Sequence, residues 1–216
     1  CYQFLSSIRQ KDGTPLMDLN GRITSHLSGI FYRSLNLMQK GIFLAYIFDG
    51  KPPQLKLQTQ QMRKERKERA REKYQQAKDE KDILSMQKYA KQVSYLSNDM
   101  VEESKELIRA LGLPIIQSPQ ESDAQGAYMV KNEDIWAFAS SDADTLLHGC
   151  PRTISNLTLS EKRKVADGIV YIKPELIELE KVLAHLGITR DQLIIIGIMT
   201  GTDYNPGGIS GIGPKK

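Results

Sequence analysis

Six carboxylates stand at the ends of apolar runs in this chain: Asp49, Glu121 with Asp123, Asp142 with Asp144, and Asp203. Asp49 closes the run from Ile42 to Phe48, Asp142 and Asp144 follow Ile135 to Ala139, and Asp203 follows Leu193 to Met199. In an open parallel sheet the carboxyl ends of the strands meet at one edge, so acids far apart in sequence converge there. Converged carboxylates repel unless a cation neutralises them. All-oxygen donor sets suit Mg²⁺ or Mn²⁺, and two such ions a few ångströms apart serve in-line displacement at phosphorus.

Each acid also has a plainer reading. Asp49 before Gly50-Lys51-Pro52-Pro53 fits a turn residue accepting backbone hydrogen bonds. Ser118-Pro119-Gln120-Glu121 fits a capping box, with Ser118 at the N-cap and Glu121 reaching back. Glu121 and Asp123, two apart on a helix, diverge unless they sit in an irregular first turn or act through water. Asp142 and Asp144 point to one side if that segment is extended, as a shared metal requires. A lone Asp-x-Asp also occurs in ordinary loops and in metal-dependent glycosyltransferases. Asp203 could simply cap a loop. Chance would have to place all four groups at element ends.

Charge limits what the phosphorus belongs to. Residues 54 to 73 hold eight bases (Lys56, Arg63, Lys64, Arg66, Lys67, Arg69, Arg71, Lys73) against Glu65, Glu68 and Glu72. The net charge of +4 therefore hides a basic first third and an acidic remainder. A polyanion held by one part and metal ions by the other would account for that asymmetry. Arginine-rich helices studded with glutamate are usually just solvated. Here, however, the basic stretch opens within seven residues of Asp49, and Lys56, Arg63 and Lys67 share a helical face. Cations so placed can stabilise charge building on a scissile phosphate.

The elements that must position these groups follow from periodicity. With 216 residues, 40% of them hydrophobic, the chain can bury one substantial core. Helices are expected over residues 1–10, 24–40, 119–131 and 174–186, and over most of 55–111 with a break near 78–82. Strands are expected at 42–48, 113–116, 136–139 and 169–172. This alternation predicts an α/β, doubly wound sheet. The two cysteines, Cys1 and Cys150, give neither a disulfide framework nor a thiolate metal site. The spacing of His26, His148 and His185 argues against zinc. No apolar run reaches the length of a membrane span, so an intracellular, soluble protein is expected. The glycines of 207–213, with Lys215 beyond, offer a hairpin whose backbone N–H groups could approach phosphates.

Taken together, Tyr2-Gln3-Phe4-Leu5, Thr24-Ser25-His26-Leu27, Phe31-Tyr32-Arg33, Asp49-Gly50-Lys51-Pro52-Pro53, Glu121-Ser122-Asp123, Asp142-Ala143-Asp144, Gly201-Thr202-Asp203-Tyr204 and Gly211-Ile212-Gly213-Pro214-Lys215 resemble, in order and spacing, the flap endonucleases of archaeal type. These belong to the XPG-like 5′ nucleases. The resemblance implies a mostly parallel twisted sheet flanked by helices, a PIN-like core. It adds a helical arch insertion and the start of a helix-two-turn-helix unit. It divides a single nuclease domain into residues 1–54, the arch at 55–111, and 112–216. It implies a structure-specific DNA endonuclease that removes 5′ flaps in replication and repair with two Mg²⁺ or Mn²⁺ ions. The metal ligands would be Asp49, Glu121, Asp123, Asp142, Asp144 and Asp203, and Lys56 and Arg63 would act on the phosphate. Tyr2 would stack on a base, Arg9 and Arg33 would touch the uncut strand, and Gly211, Gly213 and Lys215 would hold duplex DNA beside a monovalent cation.

Further expectations are a monomer without membrane association and a cytoplasmic, nucleoid-associated location, or a nuclear one in a eukaryote. A sliding clamp is the expected partner of the full-length protein. The sequence departs from the family at Asp123, where a glutamate is usual. The chain reads as a fragment, with the family's first strand and one more metal-binding aspartate expected before Cys1. The alternative is a structure-specific DNA-binding module that does not cleave; a glycosyltransferase is disfavoured by the basic helix.

Overall fold

The computed structural model describes residues 2–10, 14–80, 82, 85–86, 88–89, 96–157, 162–165 and 168–213. The chain divides into two units, one of residues 1–46 and 60–115 and one of residues 47–59 and 116–216.

In the first unit, α1 (Tyr2–Ser7), α2 (Ser25–Gln39) and α4 (Asn98–Ala110) pack together around Leu5, Ile30, Leu37 and Ile108, all buried. Ser97 caps α4 by accepting the Met100 amide at 3.2 Å. His26, fully buried in α2, reaches Glu103 of α4 at 3.2 Å. Residues 57–79 form the long helix α3 (Leu57–Asp79), which is exposed nearly all round and buries only Thr59, Ala70 and Ala77. The break expected near residue 80 is where α3 ends.

Strand β1 (Tyr46–Phe48) is shorter than its apolar run. The run's first residue closes α2 instead: Ile42 N–H donates to Leu37 at 3.1 Å, past Gly41 in the left-handed region. That is the usual helix C-terminal closure, and it leaves Phe43 in solvent. β1 pairs with β2 (Ile115–Gln117). Tyr46 N–H donates to Pro114 and Ser118 N–H donates to Phe48, a parallel register.

The second unit holds a three-stranded sheet ordered β3 (Phe138–Ala139), β4 (Arg152–Ser155), β7 (Glu175–Glu178). β3 and β4 are parallel, β4 and β7 antiparallel. Ala127 and Val130 of α5 (Ser122–Lys131) and Cys150 form the core with Ile135 and Phe138.

One sequence expectation is corrected here, and the strand expected at 169–172 is found. Residues 175–178, expected as helix, form β7 because Pro174 precedes them and Glu178 falls opposite Arg152 across the ladder; the helix α7 (Leu179–Leu186) starts only afterwards. Residues 168–171 form β6 (Gly168–Tyr171), which pairs antiparallel with β5 (Lys162–Val165) in a hairpin of their own. The apolar run before Asp203 is the helix α8 (Arg190–Thr200), fixed by a capping box between Thr189 and Gln192. A short apolar run does not by itself distinguish buried strand from helix. Among the described residues no single helix is long and apolar enough to cross a membrane.

Candidate active site

All six acids lie in the second unit, and the local chain explains each position. Asp49 leaves β1 through Gly50, whose amide donates to the Gln120 carbonyl. A Cβ on Gly50 would run into the carbonyls of Ser118 and Pro119, so only glycine lets the two turns close on each other. Through that closure Asp49 Oδ1 accepts the Ser122 N–H at 2.8 Å, satisfying an orphan donor at the start of α5.

Glu121 is therefore not a capping-box residue. It occupies the N-cap position of α5 but makes no side-chain cap, and the Ser118 hydroxyl is buried without a partner. The Glu121 carboxylate turns instead to Lys56 Nζ, which it accepts on Oε1, and to the Tyr204 hydroxyl, which it accepts on Oε2. Lys56 also pairs with Asp203 Oδ2 at 3.1 Å and lies 4.9 Å over the Tyr204 ring. Burial works against the Lys56 charge, yet its hydrogen bonds to Glu121 and Asp203 hold its pKa above the usual value. The Tyr204 phenol is pushed up to about 12, first by burial and then by donating to Glu121.

On the other side, Asp123 diverges from Glu121 as helical spacing requires, and its Oδ1 accepts the Ser140 hydroxyl at 3.1 Å. Ser140 in turn accepts the Asp142 N–H at 3.1 Å. Residues 142–144 are not extended. Asp142 Oδ1 accepts the Asp144 N–H at 3.0 Å, and Asp144 opens the short helix α6 (Asp144–Leu147). The two acids therefore meet through a turn rather than along a strand. Asp144 is raised above the usual carboxylate range by burial and then by the charges of Asp142 and Asp203, with Lys56 and His148 opposing. Asp123 is raised by burial, with the Ser140 hydrogen bond opposing and the charges of Asp142 and Asp49 adding to the rise. These acids feel one another's charge although the chain separates them widely.

The donor set is all oxygen, self-repelling and partly dry. It fits a hard divalent cation better than any soft metal. Among the described residues no three carboxylates close into a preformed cage. The Lys56 ammonium, between Glu121 and Asp203, supplies the positive charge that those two acids need.

The remaining predicted residues are placed separately. Arg63 and Lys67 are exposed on α3, whereas Lys56 sits half-buried in a 3₁₀ turn (Gln54–Lys56) just before that helix, so the three do not share one environment. Tyr2 lies in α1. Arg9 forms an isolated bridge with Pro15, and the half-buried Arg33 stacks on Phe4 at 5.7 Å. Gly211 adopts φ +85°, a left-handed turn that glycine favours, and Ile212 N–H closes on Ile209 at 3.0 Å, with Gly213 next. Lys215 lies outside the described residues. Sequence reasoning missed Tyr204, Ser140 and Thr59, whose hydroxyl donates to the Asp203 carbonyl at 2.6 Å. Only Tyr204 carried a signal, its place directly after a candidate ligand.

Residues 1–70 match the XPG N-terminal domain and residues 112–203 the XPG I-region. Flap endonuclease 1 of Staphylothermus marinus is 54% identical over all of this chain, and that of Aeropyrum pernix 53% over 99% of it. Each comparison covers 62% of the relative, so the chain spans a little under two thirds of the length of these curated relatives. Flap endonuclease-1 from Methanococcus jannaschii superimposes with a TM-score of 0.73 at 46% identity, covering 99% of this chain and 65% of that one. The catalytic core of Rad2 in complex with DNA substrate gives 0.68 at 27%, covering 99% and 55%.

The mixed helix-and-sheet fold is thus that of the XPG-type nuclease cores. Within that class the chain belongs to the flap endonuclease family.

Proposed function

We propose that this chain is the nuclease region of a structure-specific DNA endonuclease that hydrolyses a phosphodiester at the base of a 5′ flap. The observation that carries the reading is the carboxylate group of the second unit, mutually repelling and laced to Lys56. Names of relatives and the DNA-bound Rad2 cores support the substrate class. Asp49, Glu121, Asp123, Asp142, Asp144 and Asp203 would hold two Mg²⁺ or Mn²⁺ ions. When bound, such ions neutralise the phosphate and lower the pKa of a bound water.

The chain's own residues do the rest. Lys56 donates to a non-bridging phosphate oxygen, and Arg63, seven residues on, is assigned the same duty as charge builds. Asp49 keeps the α5 terminus in place while serving as a ligand. The bases of α3, as one leg of a helical arch within 55–111, draw the single strand. Tyr2 stacks on a base, Arg9 and Arg33 face the uncut strand, and Gly211, Gly213 and Lys215 hold duplex phosphates with a monovalent cation. A sliding clamp partner, a monomeric state and a cytoplasmic location complete the proposal.

The test is cleavage of an end-labelled 5′-flap duplex with Mg²⁺, comparing the chain within its full-length protein with Asp144→Ala. Metal-dependent cutting at the junction, lost in the variant while flap binding persists, is expected. Arg63→Ala should slow the single-turnover rate more than it weakens binding. Binding without cleavage in the parent protein would reduce the chain to a DNA-binding module.

A further inference from the structure

Tyr204 touches the carboxylate group from a position that no assigned role uses. Its hydroxyl donates to Glu121 Oε2 while Lys56 takes Oε1, so the two oxygens of one carboxylate are divided between a neutral donor and a cation. Its ring forms a floor under the same ammonium, 4.9 Å from Nζ. The backbone that carries it is pinned twice. Thr59 donates to the Asp203 carbonyl, and Tyr204 N–H donates to the Thr202 hydroxyl at 3.2 Å, within the turn closed by the Thr202–Asn205 bridge. Asp203 and Tyr204 are thus presented by one fixed turn, the first toward Lys56 and the second toward Glu121.

A carboxylate that must receive a cation on one oxygen binds best when its other oxygen is already held, because rotation about its terminal bond is then frozen. Tyrosine suits the task. A neutral O–H donor fixes the oxygen without bringing a charge that would oppose a metal, and the ring accepts an ammonium against its face without a competing hydrogen bond. Phenylalanine would keep the floor and lose the clasp; an aliphatic residue would lose both.

We propose that Tyr204 is a positioning residue of the nuclease site, clasping Glu121 so that its second oxygen faces the cation, and seating Lys56 beside it. This rests on the reading of Glu121 as a metal ligand given above. Tyr204 acts through Glu121 and Lys56 and does not itself touch substrate.

The experiment measures Mn²⁺ affinity by electron paramagnetic resonance of free Mn²⁺ in the 216-residue chain. It compares the parent with Tyr204→Phe, Glu121→Gln and the double variant, each checked by circular dichroism. Removing an outer partner of a ligand costs about 10-fold or more in metal affinity, so Tyr204→Phe should weaken Mn²⁺ binding by about 10-fold with its melting temperature little changed. In the Glu121→Gln background the same substitution should change nothing further, which a merely structural role would not produce. Tyr204→His, which restores a ring donor, should recover part of the loss, and Tyr204→Leu, which loses both clasp and floor, replaces Tyr204→Phe in the cycle if the phenylalanine variant does not fold. If Glu121→Gln weakens binding but Tyr204→Phe stays within about twofold of the parent, or if the two losses multiply independently, the positioning role is wrong and the metal site stands. If Glu121→Gln itself binds Mn²⁺ like the parent, the metal reading fails and the clasp with it.

Discussion

Lys56 occupies the position that a metal would contest, and replacing it should tighten metal binding while slowing hydrolysis. Its ammonium contacts Glu121 and lies 3.1 Å from Asp203, with the three side chains only 17%, 15% and 26% exposed. Bare Coulomb attraction at that distance is about 5 kcal/mol per contact at an effective dielectric of about 20. Desolvation of the ammonium offsets most of it, leaving about 1.5–3 kcal/mol for a charge-assisted hydrogen bond. A divalent ion that takes those two carboxylates must first displace Lys56 and forfeit that amount. Lys56→Met keeps the aliphatic stem against Tyr204 and removes only the charge. It should therefore raise Mn²⁺ affinity about 10- to 100-fold, since about 1.4 kcal/mol is a factor of ten. The same variant should be less stable than the parent without metal, because Glu121 and Asp203 are left facing each other uncompensated, and should regain that stability when Mn²⁺ is added. Isothermal titration calorimetry and melting curves with and without Mn²⁺ measure both effects, and single-turnover cleavage in the full-length protein should fall. Equal or weaker Mn²⁺ affinity would refute the argument, because Lys56 would then be a neighbour of the metal ligands rather than their standing counter-charge.

Asp49 has two duties that a pair of variants separates. Asp49→Ala should lose cleavage and about 1 kcal/mol of stability, the net worth of its bond to the Ser122 amide, whereas Asp49→Asn keeps an acceptor and should lose cleavage alone. Urea unfolding of the two, in parallel with flap cleavage, checks this. Asp144, raised above its ordinary value of 3.8, holds its proton longer folded than unfolded, so its contribution to stability declines as pH rises from 3.8 through the raised folded pKa. The parent minus Asp144→Asn difference in unfolding free energy should therefore fall across that window in the metal-free chain and flatten with Mg²⁺; a difference that rises with pH would contradict the burial and repulsion seen there. α3 should exchange its amides quickly between residues 60 and 79 in the free protein and slowly once flap DNA is bound, as read by hydrogen–deuterium exchange, because so little of the helix is buried.

The acids were legible in the sequence because their signal is positional, a charge placed where an apolar run stops. The backbone that places them was less legible. Leu193 to Met199 reads equally as buried strand or helix, and what decides is the capping box at Thr189 and Gln192, a local signal outside the run itself. The run from Ile42 is longer than the strand it yields for the opposite reason, since its first residue ends α2 beyond Gly41. At Ser118 to Glu121 a good local motif misled. The capping box was satisfied on paper, yet Asp49, far away in the chain, takes the start of α5 and releases Glu121 for Lys56 and Tyr204.

That exchange shows why the partners are harder to read than the acids themselves. A carboxylate at an element end advertises itself whatever surrounds it, whereas the groups that hold it in place come from anywhere the chain returns. Ser140 reaches Asp123 from just beyond β3, Thr59 reaches the Asp203 carbonyl from the first turn of α3, and Tyr204 reaches Glu121 from 83 residues further along the chain. None of these has a spacing relative to its target that a period of 2 or 3.6 would reveal. What does mark them is chemistry that would not compete with a metal: two hydroxyls and a phenol, all neutral donors. In a site whose acids already repel, a charged support would either bind a carboxylate too firmly to release it or add to the repulsion. Lys56, which touches both Glu121 and Asp203, is a charged exception, and the phosphate duty proposed for it would explain why a cation is kept there at the expense of metal affinity.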